Sequence, residues 1–205
     1  MIKQELREQY LARRFDLTEP EYDVLNVGLA EQFFRHINLQ TAKVIHVFLP
    51  MLDRREPNTW KIIETIKAEH PHVTLVVPRM KGDMLEHLVY EGHEQLVKGK
   101  WNVPEPKGGL PVPVSALDIV LVPMLICDVA GNRVGYGKGY YDRFLVGCRK
   151  NTLKIGVTHF KPVQKISDVG GTDIPLDACL TPAGMIRFSS PRWPSPFLAF
   201  PADPE

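Results

Sequence analysis

Two runs of apolar, β-branch-rich sequence separated by one helical stretch constrain this chain more than any other feature. Residues 42–49 read Ala-Lys-Val-Ile-His-Val-Phe-Leu and are followed by Pro50, and residues 73–77 read Val-Thr-Leu-Val-Val and are closed by Pro78. Between them, residues 59–69 carry apolar side chains at helical spacing. Near-continuous apolar strands are buried on both faces, and strand, helix and strand within one sheet close right-handed. The pattern therefore predicts a βαβ unit in a parallel sheet covered on both sides.

The rest of the chain extends that unit. Residues 3–14 are rich in helix formers, and residues 19–36 repeat a helical pattern after the start signal Asp16-Leu17-Thr18-Glu19-Pro20. Residues 117–122 form another buried-strand candidate ended by Pro123, residues 128–133 read as a turn, and residues 139–145 as the opening of a helix. Residues 153–157, 178–180 and 185–188 supply short later strands, the last two as a hairpin. The expected architecture is α/β: a doubly wound, mostly parallel sheet with helices on both faces, a Rossmann-like three-layer sandwich. In such a fold ligands sit beyond the carboxyl ends of the strands. One domain over residues 1–189 is expected, with a Pro-rich tail over 190–205 that reads as an extended arm.

Composition narrows the partners. Lys plus Arg number 25 and Asp plus Glu 24, a net charge of +1, so no whole-molecule field draws the chain to nucleic acid or to acidic membranes. Anion binding must be local. No apolar run reaches the roughly 20 residues that cross a bilayer, and the charged start lacks a signal-peptide apolar region, so a cytoplasmic protein is expected, as a monomer. Cys127, Cys148 and Cys179 are odd in number and form no C-x-x-C pair, which reads as inert buried thiols. The seven histidines show no metal spacing, and no G-x-S-x-G elbow is present.

Chemistry concentrates in Gly135-Tyr136-Gly137-Lys138-Gly139-Tyr140-Tyr141-Asp142. Alternating glycines running into a helix let the backbone approach an anion, and the helix start adds free N–H donors. Arg133 and Lys138 bring positive charge, and Asp142 follows closely enough to hold a cation bridging phosphates. A glycine-rich packing turn is the plainer alternative, since neither G-x-G-x-x-G nor a Walker loop is present. In the first helix Lys3, Arg7 and Arg14 fall within a narrow arc, and Lys3 and Arg7 lack an acidic neighbour at helical spacing, so either an anionic partner or solvent faces them. Glu56, after the first strand, could accept N–H donors from a heterocycle or form loop ion pairs. Trp101, before Asn102-Val103-Pro104-Glu105-Pro106, could stack on a planar ligand or anchor the turn. Arg79 could meet a substrate carboxylate or form a structural ion pair. Asp173 or Asp177 could join Asp142 in an oxygen-ligand magnesium site or cap a turn.

Taken together, residues 122–145, which contain this loop, closely resemble the signature of the 5-formyltetrahydrofolate cyclo-ligase family, also called methenyltetrahydrofolate synthetases. Lys3, Arg7, Glu56, the segment from Trp101 and Asp177 reinforce the likeness, which spans Met1 to about Phe188. The loop before Glu56 is longer than the family pattern, and the tail is foreign to it. The resemblance implies a carbon–nitrogen ligase that uses ATP and Mg2+ to convert 5-formyltetrahydrofolate to 5,10-methenyltetrahydrofolate through phosphorylation of the formyl oxygen. It further implies that Lys3, Arg7, Arg133, Gly135, Gly137, Lys138, Gly139 and Tyr140 hold the nucleotide, with Lys138 and Arg133 on the transferring group. Asp142 and Asp177 would hold the metal, and Glu56, Trp101, Tyr141 and Arg79 the folate. Rival readings are a sugar-phosphate isomerase or acyl-CoA transferase on a similar sheet, for which no motif stands, and a non-catalytic binder, which has no need for Lys138 beside Asp142.

Overall fold

The computed structural model describes residues 1–99, 102–189 and 195–199. Among them, seven strands form one sheet in the order β11-β10-β9-β6-β1-β2-β3. These are β1 (Val44–His46), β2 (Thr74–Lys81), β3 (Met84–Val89), β6 (Ile119–Pro123), β9 (Leu153–Val157), β10 (Ala178–Thr181) and β11 (Gly184–Arg187). The five central strands, β10 to β2, are parallel, and the two edge strands are antiparallel. This is the three-layer α/β fold that the sequence predicts. Strand order reverses between β1 and β6, so Pro123 at the carboxyl end of β6 and Leu49, just past the end of β1, flank the crevice where such sheets bind ligands.

Alternation along each strand feeds two cores. Ile45, Leu75, Val77, Ile119, Leu121 and Ile155 face α2 (Glu19–His36) and α3 (Trp60–Glu69), whose Leu29, Phe33, Ile62, Ile63 and Ile66 cover them. The intervening Val76, Val120, Val122 and Cys179 face Phe144 and Leu145 of α4 (Tyr140–Val146). The start of α2 is fixed by Thr18, which accepts from the Glu21 N–H while the Glu21 carboxylate returns to Thr18. α1 (Lys3–Phe15) lies outside the sheet. Its Leu6 and Tyr10 pack on Leu125, Ile126, Val134 and Phe160, clamping a small hairpin of β7 (Ile126–Cys127) and β8 (Arg133–Val134).

Three features depart from the sequence reading. β2 does not stop at Pro78 but runs to Lys81. Val89 N–H and His87 C=O point away from β2, towards Leu110 and Val112, so Pro78, opposite His87, has its missing N–H on the side facing away from β3. β1 pairs with β2 only as far as Val76, and the proline interrupts no ladder. Second, β3, the two-residue turn at Gly82 (φ +60°) and Asp83, and the ribbon of β4 (Leu96–Lys98) with β5 (Pro104–Pro106) were not anticipated. Third, of the tail expected as an extended arm, residues 195–199 are docked: Leu198 bridges Ile37, Ala199 N–H donates to the His36 carbonyl, and Phe197 and Leu198 are buried. No helix among the described residues is long and apolar enough to cross a membrane.

Candidate active site

Asp128 organises the approach to the glycine loop. It is 1% exposed, and its carboxylate accepts from the backbone N–H groups of Ala130, Asn132 and Ile166 and from the Asn132 side chain. Those bonds set the turn that carries Arg133 into β8. Arg133, its side chain only 7% exposed, donates to Asp142 Oδ1 at 2.6 Å and to the Ile174 carbonyl, tying β8, α4 and the segment before β10 together.

Between β8 and α4 the loop turns through Gly137 (φ +79°) and Gly139 (φ +69°), a left-handed geometry that disfavours any side chain. Arg7 lies across this loop, its Nε donating to the Gly135 carbonyl at 2.9 Å. Arg143 braces it from the other side through the carbonyls of Lys138 and Asp83, and the Tyr140 hydroxyl donates to the Gly82 carbonyl. Lys138 is exposed, with no carboxylate partner among the described residues. Lys3, for which the sequence offered no counter-charge, is met by Asp173 from across the fold, and that ion pair pulls the Asp173 carboxyl below its ordinary value against the effect of burial.

These residues line one cleft of about 410 Å3 at the carboxyl ends of β1, β2 and β6. Lys3, Arg7, Arg133, Gly135, Gly137, Lys138, Gly139, Tyr140, Tyr141 and Asp142 all border it, and so does Glu56. Glu56 is 3% exposed; one oxygen accepts from Met51 N–H at 2.8 Å, and the Tyr22 hydroxyl fixes its main-chain carbonyl at 2.5 Å. Burial raises the Glu56 carboxyl above its ordinary value, with Arg14 the strongest opposing influence. Tyr141 is likewise raised by burial, and its hydroxyl has no partner among the described residues. Cationic groups, glycine backbone, a buried carboxylate and an aromatic ring thus line one cleft.

The remaining candidates separate. Arg79 is not in the cleft: it stands opposite Glu86 in the β2–β3 register and grips that carboxylate at 2.5 and 3.0 Å, while Nη1 reaches the Lys107 carbonyl. Of the two roles that the sequence allowed, the structural ion pair is the one present. Asp177 does not meet Asp142. It is wholly buried just before β10, where it accepts from Lys154 N–H at 2.8 Å with Lys154 Nζ 3.6 Å away. Asp173, the alternative, borders the cleft instead. Trp101 lies outside the described residues. Arg14, which shares the arc of Lys3 and Arg7, is turned inward and 1% exposed. Sequence reasoning missed Arg54 and Glu105, which line the cleft; Glu105 sits in β5, paired with Val97, but nothing in its spacing marks it. Cys127 and Cys179, 52 positions apart in the chain, are buried as free thiols in the same core cluster.

Residues 1–182 match the model of the 5-formyltetrahydrofolate cyclo-ligase family. A 5-formyltetrahydrofolate cyclo-ligase of Escherichia coli (strain K12) is 30% identical over 176 residues, covering 83% of this chain and 95% of the relative. One from Mus musculus is 31% identical over 155 residues, 71% of this chain and 74% of the relative. The solved structure of Aquifex aeolicus 5,10-methenyltetrahydrofolate synthetase superposes with a TM-score of 0.77 at 27% identity, over 94% of this chain and 95% of that one.

Proposed function

Because the chain belongs to the 5-formyltetrahydrofolate cyclo-ligase family, a family of enzymes, we propose that it cyclises 5-formyltetrahydrofolate to 5,10-methenyltetrahydrofolate with release of ADP and phosphate. The observation that carries this reading is the juxtaposition, in one cleft, of a cation-lined glycine loop with the buried acceptor Glu56.

An N-formyl group is an amide: its carbon is a poor electrophile and its oxygen a poor leaving group. In the proposed reaction the formyl oxygen attacks the terminal phosphorus of ATP and ADP leaves. The neighbouring bridge nitrogen of the folate then attacks the iminium carbon and loses its proton, and the carbon–oxygen bond breaks to release phosphate. Such transfer needs positioning and charge stabilisation more than a protein nucleophile. Arg7, lying across the loop, and Lys138, within it, suit the phosphates, with Lys138 on the transferring group and Lys3 alongside. Arg133 holds Asp142 and the loop in register. Glu56 and Tyr141 suit the pteridine, and Trp101 joins them by resemblance.

The donor set fits a magnesium ion that arrives with the nucleotide. Such an ion takes one or two carboxylates beside phosphate oxygens and waters. Asp142 and Asp173 both border the cleft, and both hydrogen bonds of Asp142 fall on Oδ1, leaving Oδ2 for a cation. No cluster of three His, Cys, Asp or Glu side chains placed to hold a metal stands among the described residues. The ion would neutralise phosphate charge. Action as a cytoplasmic monomer belongs to the same proposal.

The test is direct. Protein, 5-formyltetrahydrofolate, ATP and magnesium are mixed and the near-ultraviolet absorbance of the methenyl product is followed. Product should accumulate only with ATP, and Lys138→Ala should nearly abolish turnover while folate binding persists. Full activity without ATP, or in the variant, sinks the reading.

A further inference from the structure

A buried guanidinium without a carboxylate against it needs an explanation. Arg14 is 1% exposed; Nη2 donates to the Met124 carbonyl at 2.7 Å, Nη1 to the Tyr136 hydroxyl at 3.1 Å, and Nε has no partner among the described residues. A buried charge held only by neutral acceptors is costly unless an opposite charge lies near. That charge is Glu56. The Tyr136 hydroxyl, accepting from Arg14, has its own proton to give and borders the same cleft as Glu56, whose carboxyl both groups pull down against burial. The three groups form a line from the inner face of α1, through the glycine loop, to the wall of the cleft.

We propose that Arg14 and Tyr136 are positioning residues that act through Glu56, holding its carboxylate ionised and aimed into the cleft so that it recognises a ligand offering N–H donors. The proposal deepens the folate reading above, and rests on it for the identity of the ligand. An ionised carboxylate only accepts hydrogen bonds, whereas a protonated one presents a donor where a pteridine's amino and ring N–H groups also donate. Burial drives Glu56 towards the protonated form, so a lasting counter-charge is needed, and Arg keeps its charge where Lys would lose it. The other groups around Glu56 do not replace it. Arg54 lines the cleft, with its guanidinium 5.7 Å from the Tyr136 ring centre, and can reach solvent. Arg55 is engaged by Glu19, and Tyr22 bonds the Glu56 main chain rather than its carboxylate. Tyr141 carries no charge at neutral pH, its hydroxyl being raised by burial, and His159 beyond Tyr22 is held neutral, its value pushed down to about 3.

Two measurements on the full chain test this. In the first, the Glu56 carboxyl carbon is followed by NMR in glutamate-labelled protein, with Glu56→Gln supplying the assignment. Arg14→Met and Tyr136→Phe should each move its titration upward by about one unit. In the second, steady-state kinetics should show KM for 5-formyltetrahydrofolate up by roughly tenfold in both variants, KM for ATP within about twofold, and an acid limb of kcat/KM displaced upward. Tyr136→Phe removes one oxygen and keeps the ring, so it remains informative if Arg14→Met does not fold. An unmoved Glu56 titration in Tyr136→Phe, or equal rises in both KM values, overturns the proposal. A wild-type protein that ignores 5-formyltetrahydrofolate while Glu56 still shifts overturns instead the functional reading beneath it.

Discussion

The Arg7 guanidinium stands where a side chain on Gly137 would have to go: a Cβ built there would lie 3.1 Å from Nη2. Helix α1 and the glycine loop, 130 positions apart in the chain, are fitted to each other at the point where phosphate is expected to bind. Gly137→Ala adds that contact to a left-handed backbone, which costs an L residue about 1–2 kcal/mol. The expected result is a rise of roughly tenfold in KM for ATP with little change in KM for the folate, read from kinetics at varied ATP.

Asp142 and Asp177 should answer differently to removal. Asp142→Asn should raise the magnesium concentration needed for half-maximal activity by at least about tenfold. Asp177→Ala leaves Lys154 buried beside an emptied site and should lower stability by about 3–5 kcal/mol, measured by denaturant unfolding. Its surviving folded fraction should keep the wild-type magnesium requirement. A raised requirement there would return Asp177 to the metal site.

Arg79→Ala should leave the KM for mono- and polyglutamylated folates unchanged, because the guanidinium is spent on Glu86 and on carbonyls of the β4–β5 region. It should lower Tm by ~2–4 °C through the loosened ribbon, seen by scanning calorimetry. A KM that rises selectively for polyglutamates would contradict this.

Acid should weaken the fold before carboxylates matter. His46 lies wholly buried against His87, Tyr141 and Phe144, with neither ring nitrogen partnered among the described residues. Burial pushes His46 well below its ordinary 6.5, His87 to about 4 and His159 to about 3. All three are neutral in the fold and charged in the unfolded chain below about 6.5, so the unfolded state binds more protons and stability falls as pH drops. Each contributes a slope of up to ~1.4 kcal/mol per pH unit, which for His87 fades below about 4. Urea unfolding between pH 7 and 4 measures it. His46→Leu should flatten the slope and hold or raise stability at neutral pH, since it deletes two buried unsatisfied nitrogens.

Much of this was legible in the sequence because it is local. The runs around Ile45, Val76 and Val120 are near-continuously apolar, as parallel strands covered on both faces are, and the glycines at 137 and 139 signalled a backbone that no other residue adopts as readily. The partners of Arg79 and Asp177 were not legible for the opposite reason: Glu86 and Lys154 are set by strand pairing, which spacing along one strand does not reveal. Arg14 shows the limit of helical arcs. It shares a face with Lys3 and Arg7, yet about two further turns carry it under the hairpin, where it donates to Met124 and Tyr136 and does not itself line the cleft. The Gly82-Asp83 turn was a readable hairpin signal, while β3 itself, Met-Leu-Glu-His-Leu-Val, carries too many polar side chains to read as a buried run.

The coupling of the two halves of the cleft is tested most directly by the fate of one oxygen atom. 5-Formyltetrahydrofolate labelled with 18O in the formyl group is converted with unlabelled ATP and magnesium, and the released phosphate is analysed by mass spectrometry. If the formyl oxygen takes the phosphoryl group held by Lys138 and its loop, each phosphate released carries one label. Unlabelled phosphate, with the heavy oxygen recovered in water, would contradict the account.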